Sequence, residues 1–334
     1  MSPLVSVLIP YRNAASTLEE ALAGILAERE VPLEVLAVDD GSTDGGAAIV
    51  ARAAAKDRRI VPLSTGGVGI ARALACAHGA SRAPFLARMD ADDVSLPERL
   101  RLQVDALRAD ASLGVVGTRV EPFPDEAVGE GLARYVAWQN AIVTTADHDR
   151  EIFVEAPLCH PSVMLRREAF EAVGAFRDVH WPEDYDLWLR LHAAGYGLAK
   201  VARTLLRWRH HPGRATFRDG RYAIVRFIEA KAHYLAPRLA RDPRALVVWG
   251  AGPTGRKLAR ALAAEGAKAT AFVDIDPKKI GRTARGAPIV AKTSLDPARH
   301  LVLMAVGARG ARDLIRNDLA ALAFIEGRDF FSCS

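Results

Sequence analysis

Three short apolar runs in the first 90 residues each end in a polar, mostly acidic cluster, and this repeated arrangement constrains the fold most strongly. The runs are VSVLI (5–9), LEVLAV (33–38) and PFLARM (84–89), and the clusters after them are PYRN (10–13), DDGSTD (39–44) and DADD (90–93). None of the runs alternates apolar with polar residues, so they predict strands buried on both faces. The sequence therefore predicts an α/β fold with a mostly parallel sheet and helices on both faces.

Helical patterns separate the predicted strands. A capping box at Ser16–Glu19 predicts the start of a first helix, and Pro97 is predicted to lie in the first turn of a later helix. Residues 121–160 are irregular and contain several prolines, which favours loops. The run 218–236 predicts a basic amphipathic helix that leads to a second domain.

The segment after residue 245 reads as strand, glycine-rich loop, helix and strand, which predicts a small Rossmann-like α/β domain. Gly250, Gly252 and Gly255 have GxGxxG spacing, and Asp274 or Asp276 follows the second strand where a ribose hydroxyl is bound in such folds. Gly250, Gly252, Gly255 and Asp274 are therefore a candidate second nucleotide site. A chain of 334 residues accommodates two domains, predicted at 1–217 and 245–334 with a basic helical linker at 218–244.

The net charge of +5 is unevenly distributed along the chain. Residues 1–198 hold 19 Lys and Arg against 29 Asp and Glu, which gives −10, whereas residues 199–244 carry +9 and residues 245–334 carry +6. The acidic part suits a bound metal, and the basic segment suits phosphates, anionic lipid or the acidic part itself. No nucleic-acid recognition motif accompanies the basic segment, so nucleic acid is not an expected partner.

The sequence contains no apolar run of about 18 residues and no signal-peptide pattern at its start, which predicts a cytoplasmic location. Peripheral contact with a membrane through the basic segment is an open alternative. The three cysteines, Cys76, Cys159 and Cys333, are scattered and predict neither a disulfide framework nor a zinc cluster.

The acidic clusters carry the chemistry. Asp90, Asp92 and Asp93 place three carboxylates in four residues, and hard oxygen ligands of this kind favour Mg²⁺ or Mn²⁺. The alternative is a solvated loop that caps the next helix. The DDGSTD cluster combines residues suited to a helix cap with two adjacent aspartates, one of which can accept a hydrogen bond from a nucleobase imide or a ribose.

Seven motifs follow one another along the chain: VSVLIPYRN, VDDGSTD, GGVGIARA (66–73), ARMDADD, RREAFEAVGAFRD (166–178), PEDYDLWLRL (182–191) and WRHHPG (208–213). In this order they resemble the motifs of the inverting family 2 glycosyltransferases of the GT-A fold. The resemblance covers roughly residues 4–216. It implies transfer of a sugar from a nucleotide-diphosphate donor to a hydroxyl of a glycan, lipid-linked or small-molecule acceptor, with Mn²⁺ or Mg²⁺ as cofactor.

The resemblance also implies roles for particular residues. Asp184 is the expected catalytic base, Asp92 the principal metal ligand, and Asp90 its partner in the DxD pair that also borders the donor. The remaining expected site residues are Pro10, Arg12, Asp40 and Arg72 on the donor side, His160 and Glu183 on the acceptor side, and His211 at the metal. Arg12 stands where the family usually has a tyrosine, so the donor base is left open.

Two other functions compete with sugar transfer at this point. The GxGxxG domain is also compatible with an NAD(P)-dependent oxidoreductase, although no YxxxK pair for hydride transfer accompanies it. The same domain is equally compatible with a nucleotide-binding regulatory module that performs no chemistry. In either case the ligand of that domain is NAD(P) or another nucleotide.

Overall fold

The computed structural model describes residues 2–334, which divide into two compact units. The first unit comprises the described residues up to His148 together with Pro157–Val179 and Asp186–Arg218. The second unit comprises Asp149–Ala156, His180–Tyr185 and Asp219–Ser334. Each unit has its own sheet.

The sheet of the first unit has eight strands. They are β1 (Val5–Tyr11), β2 (Leu33–Asp39), β3 (Ile60–Ser64), β4 (Phe85–Arg88), β5 (Val94–Ser95), β6 (Leu113–Phe123), β7 (Met164–Arg166) and β8 (Gly197–Arg209), in the order β3-β2-β1-β4-β7-β6-β8-β5. Strands β3, β2, β1 and β4 are parallel neighbours, whereas β7 is antiparallel to both β4 and β6. The sheet is therefore mixed. Of its parallel strands, β1, β2 and β4 are the three that the sequence predicts, whereas β3 was not predicted.

The first nine α-helices connect or follow these strands. They are α1 (Leu18–Leu26), α2 (Gly46–Lys56), α3 (Ile70–Ala80), α4 (Arg99–Ala109), α5 (Glu130–Ala141), α6 (Thr145–Glu151), α7 (Arg167–Ala172), α8 (Glu183–Ala193) and α9 (Ala215–Arg218). Every residue of β1 is buried, as are the first six residues of β2, because helices cover both faces of the parallel part. The apolar face of α1 contributes Leu18, Leu22 and Ile25 to this core.

Two local predictions are wrong. The capping box does not form, because α1 begins at Leu18 and the Thr17 hydroxyl donates to the carbonyl oxygens of Ala91 (2.9 Å) and Ala14 (3.3 Å) instead of capping a helix N–H. Residues 121–160 are not mainly loops, since they contain α5 and α6. The helix predicted at Pro97 is present, but it begins two residues later, at Arg99.

The second unit contains the remaining helices and a smaller sheet. Its elements are α10 (Ile224–Arg241), β9 (Ala245–Trp249), α11 (Pro253–Ala264), β10 (Ala271–Val273), β11 (Thr283–Ala284), β12 (Ala287–Val290), β13 (His300–Met304), α12 (Ala311–Ala321) and β14 (Phe330–Ser332). The strand order is β11-β12-β10-β9-β13-β14, and only the β11–β12 pair is antiparallel. The predicted succession of strand, loop, helix and strand is confirmed at β9, α11 and β10.

The basic helix predicted at 218–236 is shifted along the chain. A short 3₁₀ turn occupies Gly220–Tyr222, and α10 then continues to Arg241 through Pro237. No helix within residues 2–334 combines the length and the apolar composition needed to cross a lipid bilayer.

Candidate active site

The loops that follow β1 and β2 are tied together at the carboxyl edge of the parallel strands. The backbone N–H of Asn13 donates to the Ser42 hydroxyl (3.0 Å), and the Asn13 side-chain oxygen accepts from the N–H of Thr43 (2.8 Å). One carboxylate oxygen of Asp44 accepts from the N–H of Ala15 (2.9 Å). The polar residues after two neighbouring strands therefore form one connected rim, where α/β folds bind their ligands.

Asp40 organises the loop that precedes α3. Its Oδ1 accepts hydrogen bonds from the Thr65 hydroxyl (2.8 Å) and from the N–H groups of Gly67 (3.1 Å) and Val68 (2.7 Å), and its Oδ2 accepts from the N–H of Gly69 (2.9 Å). The side chain is buried. Asp40 is thus the anchor of the Thr65–Gly69 loop, whatever further bond it makes to a ligand.

The glycine of the DDGSTD cluster is required by this arrangement. Gly41 has a φ of +77°, and a Cβ placed there would lie 2.9 Å from the backbone nitrogen of Gly67. A side chain at this position would both strain the backbone and displace the Thr65–Gly69 loop. The glycine therefore permits the close approach that brings the loop onto Asp40.

The DADD cluster brings three carboxylates together after β4. Ligand oxygens of Asp90, Asp92 and Asp93 all lie within 4.8 Å of one another. Burial first and the negative charge of Asp90 second raise the pKa of Asp92, and the same two causes raise the pKa of Asp93 well above its usual range. Arg88, at the end of β4, forms an ion pair with Asp90. The cluster is therefore an electrostatically costly arrangement that a cation would relieve.

His211 lies against this cluster. The N–H of Gly213 donates to Nδ1 of His211 (3.1 Å), so the ring hydrogen is on Nε2, which donates to Oδ2 of Asp92 (3.0 Å). The predicted metal residues Asp92 and His211 are thus in direct contact. In the other neutral tautomer, with the ring hydrogen on Nδ1, Nε2 carries a free lone pair and would be available as a metal ligand.

Two arginines, Arg209 and Arg214, place positive charge beside the DADD cluster, and neither was predicted from the sequence as a site residue. The N–H of Arg209 donates to Asp93 Oδ1 (2.7 Å), and its Nε donates to the Asp92 carbonyl oxygen (2.7 Å). Arg214 stacks on the ring of Trp208, 4.5 Å from its centroid, and its charge lowers the pKa values that burial raises at Asp92 and Asp93. The excess of basic residues after residue 199 was the available signal, but it did not identify these two positions.

The donor set fits a hard divalent cation. Asp93 is almost fully buried, and its second carboxylate oxygen, Oδ2, has no hydrogen-bond partner among residues 2–334. This oxygen is therefore available to a bound cation. Three clustered carboxylates and one imidazole provide the oxygen and nitrogen ligands that Mg²⁺ or Mn²⁺ accepts. The residues present are therefore suited to holding such an ion.

The other expected donor residues lie at varied positions around the sheet edge. Pro10 is buried within β1, paired with Val38 of β2, and Arg12 is exposed just after the end of the strand. Arg72 projects from α3 and forms an exposed ion pair with Asp178 (3.3 Å). Both arginines are accessible to an anionic ligand.

His160 occupies an aromatic pocket in the first unit. Its ring lies 5.7 Å from the ring of Phe176 and 6.0 Å from that of Trp188, centroid to centroid. Burial and the charge of Arg88 hold the pKa of His160 well below its usual range, so the ring is neutral at physiological pH. A neutral imidazole in this position can donate or accept one hydrogen bond, but it carries no charge.

In the second unit, the start of α8 carries the adjacent Glu183 and Asp184. Glu183 is fully buried and both of its carboxylate oxygens accept from the Tyr222 hydroxyl, at 3.1 Å each, with Arg221 3.7 Å away. Asp184 is half-buried, and its Oδ1 accepts from the N–H of Tyr185 (2.7 Å). Glu183 thus anchors the 3₁₀ turn, whereas Asp184 retains access to solvent.

Comparison with solved structures defines the class of fold. The S. aureus protein TarS (residues 1–349), in a complex with UDP-GlcNAc, matches with a TM-score of 0.56 and 17% identity, over 78% of this chain and 72% of TarS. The mannosyltransferase PcManGT from Pyrobaculum calidifontis, in a complex with GDP-Man and Mn²⁺, matches with a TM-score of 0.51 and 21% identity, over 80% of this chain and 74% of that one. The first unit therefore has the GT-A type of α/β fold.

Comparison of sequences gives the family. The model of glycosyl transferase family 2 matches residues 6–174, about half of the chain. The protein EpsE of Bacillus subtilis (strain 168) is 30% identical over 200 residues, which span 58% of this chain and 68% of EpsE. The chain belongs to glycosyl transferase family 2, and the resemblance identified from its motifs is confirmed.

Proposed function

We propose that this glycosyltransferase moves a sugar from a nucleotide-diphosphate donor to an acceptor hydroxyl, with a divalent cation at the DADD cluster and with inversion at the anomeric carbon. The observation that carries the proposal is the convergence of Asp90, Asp92 and Asp93 within 4.8 Å, with His211 bonded to Asp92. A likeness to chains solved with UDP-GlcNAc, or with GDP-Man and Mn²⁺, supports the donor class.

The carboxylates and His211 would hold Mn²⁺ or Mg²⁺, which when bound neutralises the charge that develops on the departing nucleoside diphosphate. Asp92 is the central ligand in this proposal because it contacts His211 and lies next to both other carboxylates. Arg88 forms an ion pair with Asp90, and the backbone N–H of Arg209 donates to Asp93. Partners of this kind orient metal ligands and increase the affinity of a site for its metal.

Asp184 is proposed as the general base. Its carboxylate removes the proton of the acceptor hydroxyl as the oxygen forms a bond to the anomeric carbon, while the bond from that carbon to the diphosphate breaks and the diphosphate leaves with the electron pair. A single displacement of this kind inverts the anomeric configuration. Buried Glu183, held by Tyr222, is proposed to position the neighbouring Asp184, and neutral His160 is proposed to bind the acceptor.

The donor is proposed to bind along the edge formed by the loops after β1 and β2. Exposed Arg12 and Arg72 supply guanidinium groups suited to phosphates or to stacking on a base. Pro10 shapes the end of β1, and Asp40 holds the Thr65–Gly69 loop beside it while accepting from the base or ribose.

The test is turnover with a panel of nucleotide sugars in the presence of Mn²⁺, with a sugar alcohol or glycan panel as acceptor. Asp92→Asn and Asp184→Asn are each expected to reduce turnover by about 10²- to 10⁴-fold, because each removes one charged participant without changing side-chain size. Asp105→Asn, an exposed aspartate of α4 paired with Arg101, is the matched control and is expected to retain activity.

The metal requirement, the two variants and the product stereochemistry each test the proposal. EDTA is expected to abolish wild-type turnover, and added Mn²⁺ is expected to restore it. Full activity of both Asp92→Asn and Asp184→Asn would reject the assigned roles, and a product that retains the donor's anomeric configuration would reject the single displacement.

A further inference from the structure

A cavity of about 860 Å³ opens in the second unit at the carboxyl ends of three parallel strands. Its walls come from the loops that follow β9, β10 and β13, and from α12. In this sheet β9 has β10 on one side and β13 on the other, so the chain reverses its direction of winding at β9. The crevice at such a reversal is where open α/β sheets bind their ligands.

The three glycines of the GxGxxG segment differ in what a side chain at each position would contact. Gly250 has a φ of +124° and its Cβ would lie 2.5 Å from the Ala305 carbonyl oxygen, and a Cβ at Gly255 would lie 1.9 Å from the Gly250 carbonyl oxygen. Both are therefore fixed by packing within the chain. A Cβ at Gly252, in contrast, would meet no heavy atom within 4 Å among residues 2–334. Gly252 lines the cavity.

Gly252 is also the residue that precedes the first turn of α11, a helix of 12 residues. The first-turn N–H groups of a helix have no acceptor within the helix, and they carry the positive end of its dipole. A glycine that internal packing does not require leaves these groups accessible from the cavity. The cavity thus presents an anion-binding surface at one end.

Two lysines add positive charge to the wall of the cavity. Lys279 Nζ lies 2.9 Å from Asp274 Oδ2, and Lys292 Nζ lies 2.5 Å from Asp318 Oδ1. Each ammonium group has three N–H donors and its aspartate accepts one bond, so both lysines retain donors for a bound oxyanion. Asp274 also accepts from the N–H of Asp276, which fixes the carboxylate at the end of β10.

Apolar side chains line the same cavity and are exposed to solvent. Ile275 is 75% exposed and Leu314 is 68% exposed, and both line the cavity. Exposed apolar residues that line a cavity together with a few polar groups are typical of a site for a partly aromatic ligand. The flat ring of a nucleobase matches this surface.

From the cavity, its charges and its apolar residues together, we propose that the second unit binds a nucleoside diphosphate moiety without a metal ion. The diphosphate contacts the backbone of the Gly250–Thr254 segment and the two lysines, the ribose hydroxyls donate to Asp274, and the base packs on Ile275 and Leu314. The site goes beyond the proposed transfer reaction, because every residue in it belongs to the second unit.

The proposal is tested by calorimetric titration of the full-length chain in EDTA. An Asp92→Asn background is used so that the proposed metal-dependent donor site does not contribute. UDP, GDP, ADP and NAD are titrated separately, and at least one diphosphate is expected to bind with a stoichiometry of one. UDP-GlcNAc and GDP-Man in further titrations distinguish a free nucleotide from a nucleotide sugar as the preferred form.

Ile275→Asp and Leu314→Asp are each expected to weaken this binding by about 10-fold or more, because each places a charge where the base packs. Ile325→Asp, a third apolar residue that is 52% exposed and lies outside the cavity, is the matched control and is expected to bind as the parent does. All three substitutions are at exposed positions, so the fold is retained.

Absence of binding by every diphosphate would overturn the proposal, as would equal affinities of the Ile275→Asp and Ile325→Asp proteins. Binding of NAD without binding of any diphosphate would overturn the assigned ligand class. Because the titration is done in EDTA, none of these results depends on whether the chain transfers sugars.

Discussion

The contribution of Asp40 to the stability of the Thr65–Gly69 loop can be measured without knowing the donor. Its carboxylate accepts four hydrogen bonds from the Thr65–Gly69 loop, three at Oδ1 and one at Oδ2. In Asp40→Asn the amide oxygen can replace Oδ1, but the amide nitrogen then faces the N–H of Gly69, donor against donor. The variant thus loses one charge-assisted bond outright and weakens the other three.

A hydrogen bond to a charged group contributes about 1.5–3 kcal/mol, and we expect Asp40→Asn to reduce the free energy of local loop opening by about 2 kcal/mol. That change corresponds to about a 30-fold loss of amide protection over Gly67, Val68 and Gly69. Asp40→Ala removes all four acceptor contacts, and we expect it to lower protection further, although water recovers part of the cost because residues 66–69 are exposed.

The assay is hydrogen exchange followed by mass spectrometry on peptides that cover residues 63–71. Asp44→Asn is the matched control, because Asp44 accepts from Ala15 and Gly46 and makes no bond to this loop. Protection over Gly67–Gly69 that is the same in Asp40→Asn as in the wild type would refute the assignment of Asp40 as the loop anchor.

Three further predictions concern other parts of the molecule. His211→Ala is expected to weaken Mn²⁺ binding by about 10- to 100-fold in a calorimetric titration, with exposed His180→Ala as the control that leaves it unchanged. Tyr222→Phe removes the hydroxyl that holds Glu183, and steady-state kinetics are expected to show about a 10-fold lower kcat with little change in donor KM; an unaltered kcat would argue against a positioning role. Burial lowers the pKa of His148 to about 4, so unfolded chains bind a proton there before folded ones do, and stability is expected to fall as the pH decreases from about 6.5 to 4. Chemical denaturation of His148→Gln at several pH values is expected to show a shallower decline than the wild type, and parallel curves would contradict this cause.

The sequence predicted the parallel part of the sheet well, because β1, β2 and β4 are short apolar runs that end in polar clusters. Their pattern reflects burial on both faces, which is a local property of each run. The antiparallel additions were not predictable in the same way, because the pairing of β7 with β4 and β6 depends on residues about 50 to 80 positions apart in the chain.

The capping box shows why a local motif can mislead. Ser16 and Glu19 have the spacing of a capping box, but α1 begins at Leu18, so Thr17 precedes the helix. The Thr17 hydroxyl donates to the carbonyl oxygen of Ala91, 74 residues away. Residues 130–141 form α5 although the prolines around this stretch favour loops. In both cases a tertiary contact or the helical spacing outweighed the local signal.

The candidate site was predictable as a list of residues and not as a set of contacts. The spacing of DADD indicated a cation site, but it did not indicate that Arg209 and Arg214 balance the charge of that site. Glu183 was expected on the acceptor side, and its complete burial against Tyr222 could not be read from the PED motif, because the two residues are 39 positions apart. Long-range polar contacts of this kind leave no periodic pattern in a single sequence.

The central proposal is that the DADD cluster would hold a divalent cation, which would neutralise the charge on a departing nucleoside diphosphate. The most direct measurement is an anomalous difference map from crystals grown with Mn²⁺ and a nucleoside diphosphate. We predict a strong peak between the carboxylates of Asp90, Asp92 and Asp93 and the diphosphate, beside His211. A map with the nucleotide bound and no peak at these carboxylates, or with the manganese held by other residues, would contradict the claim.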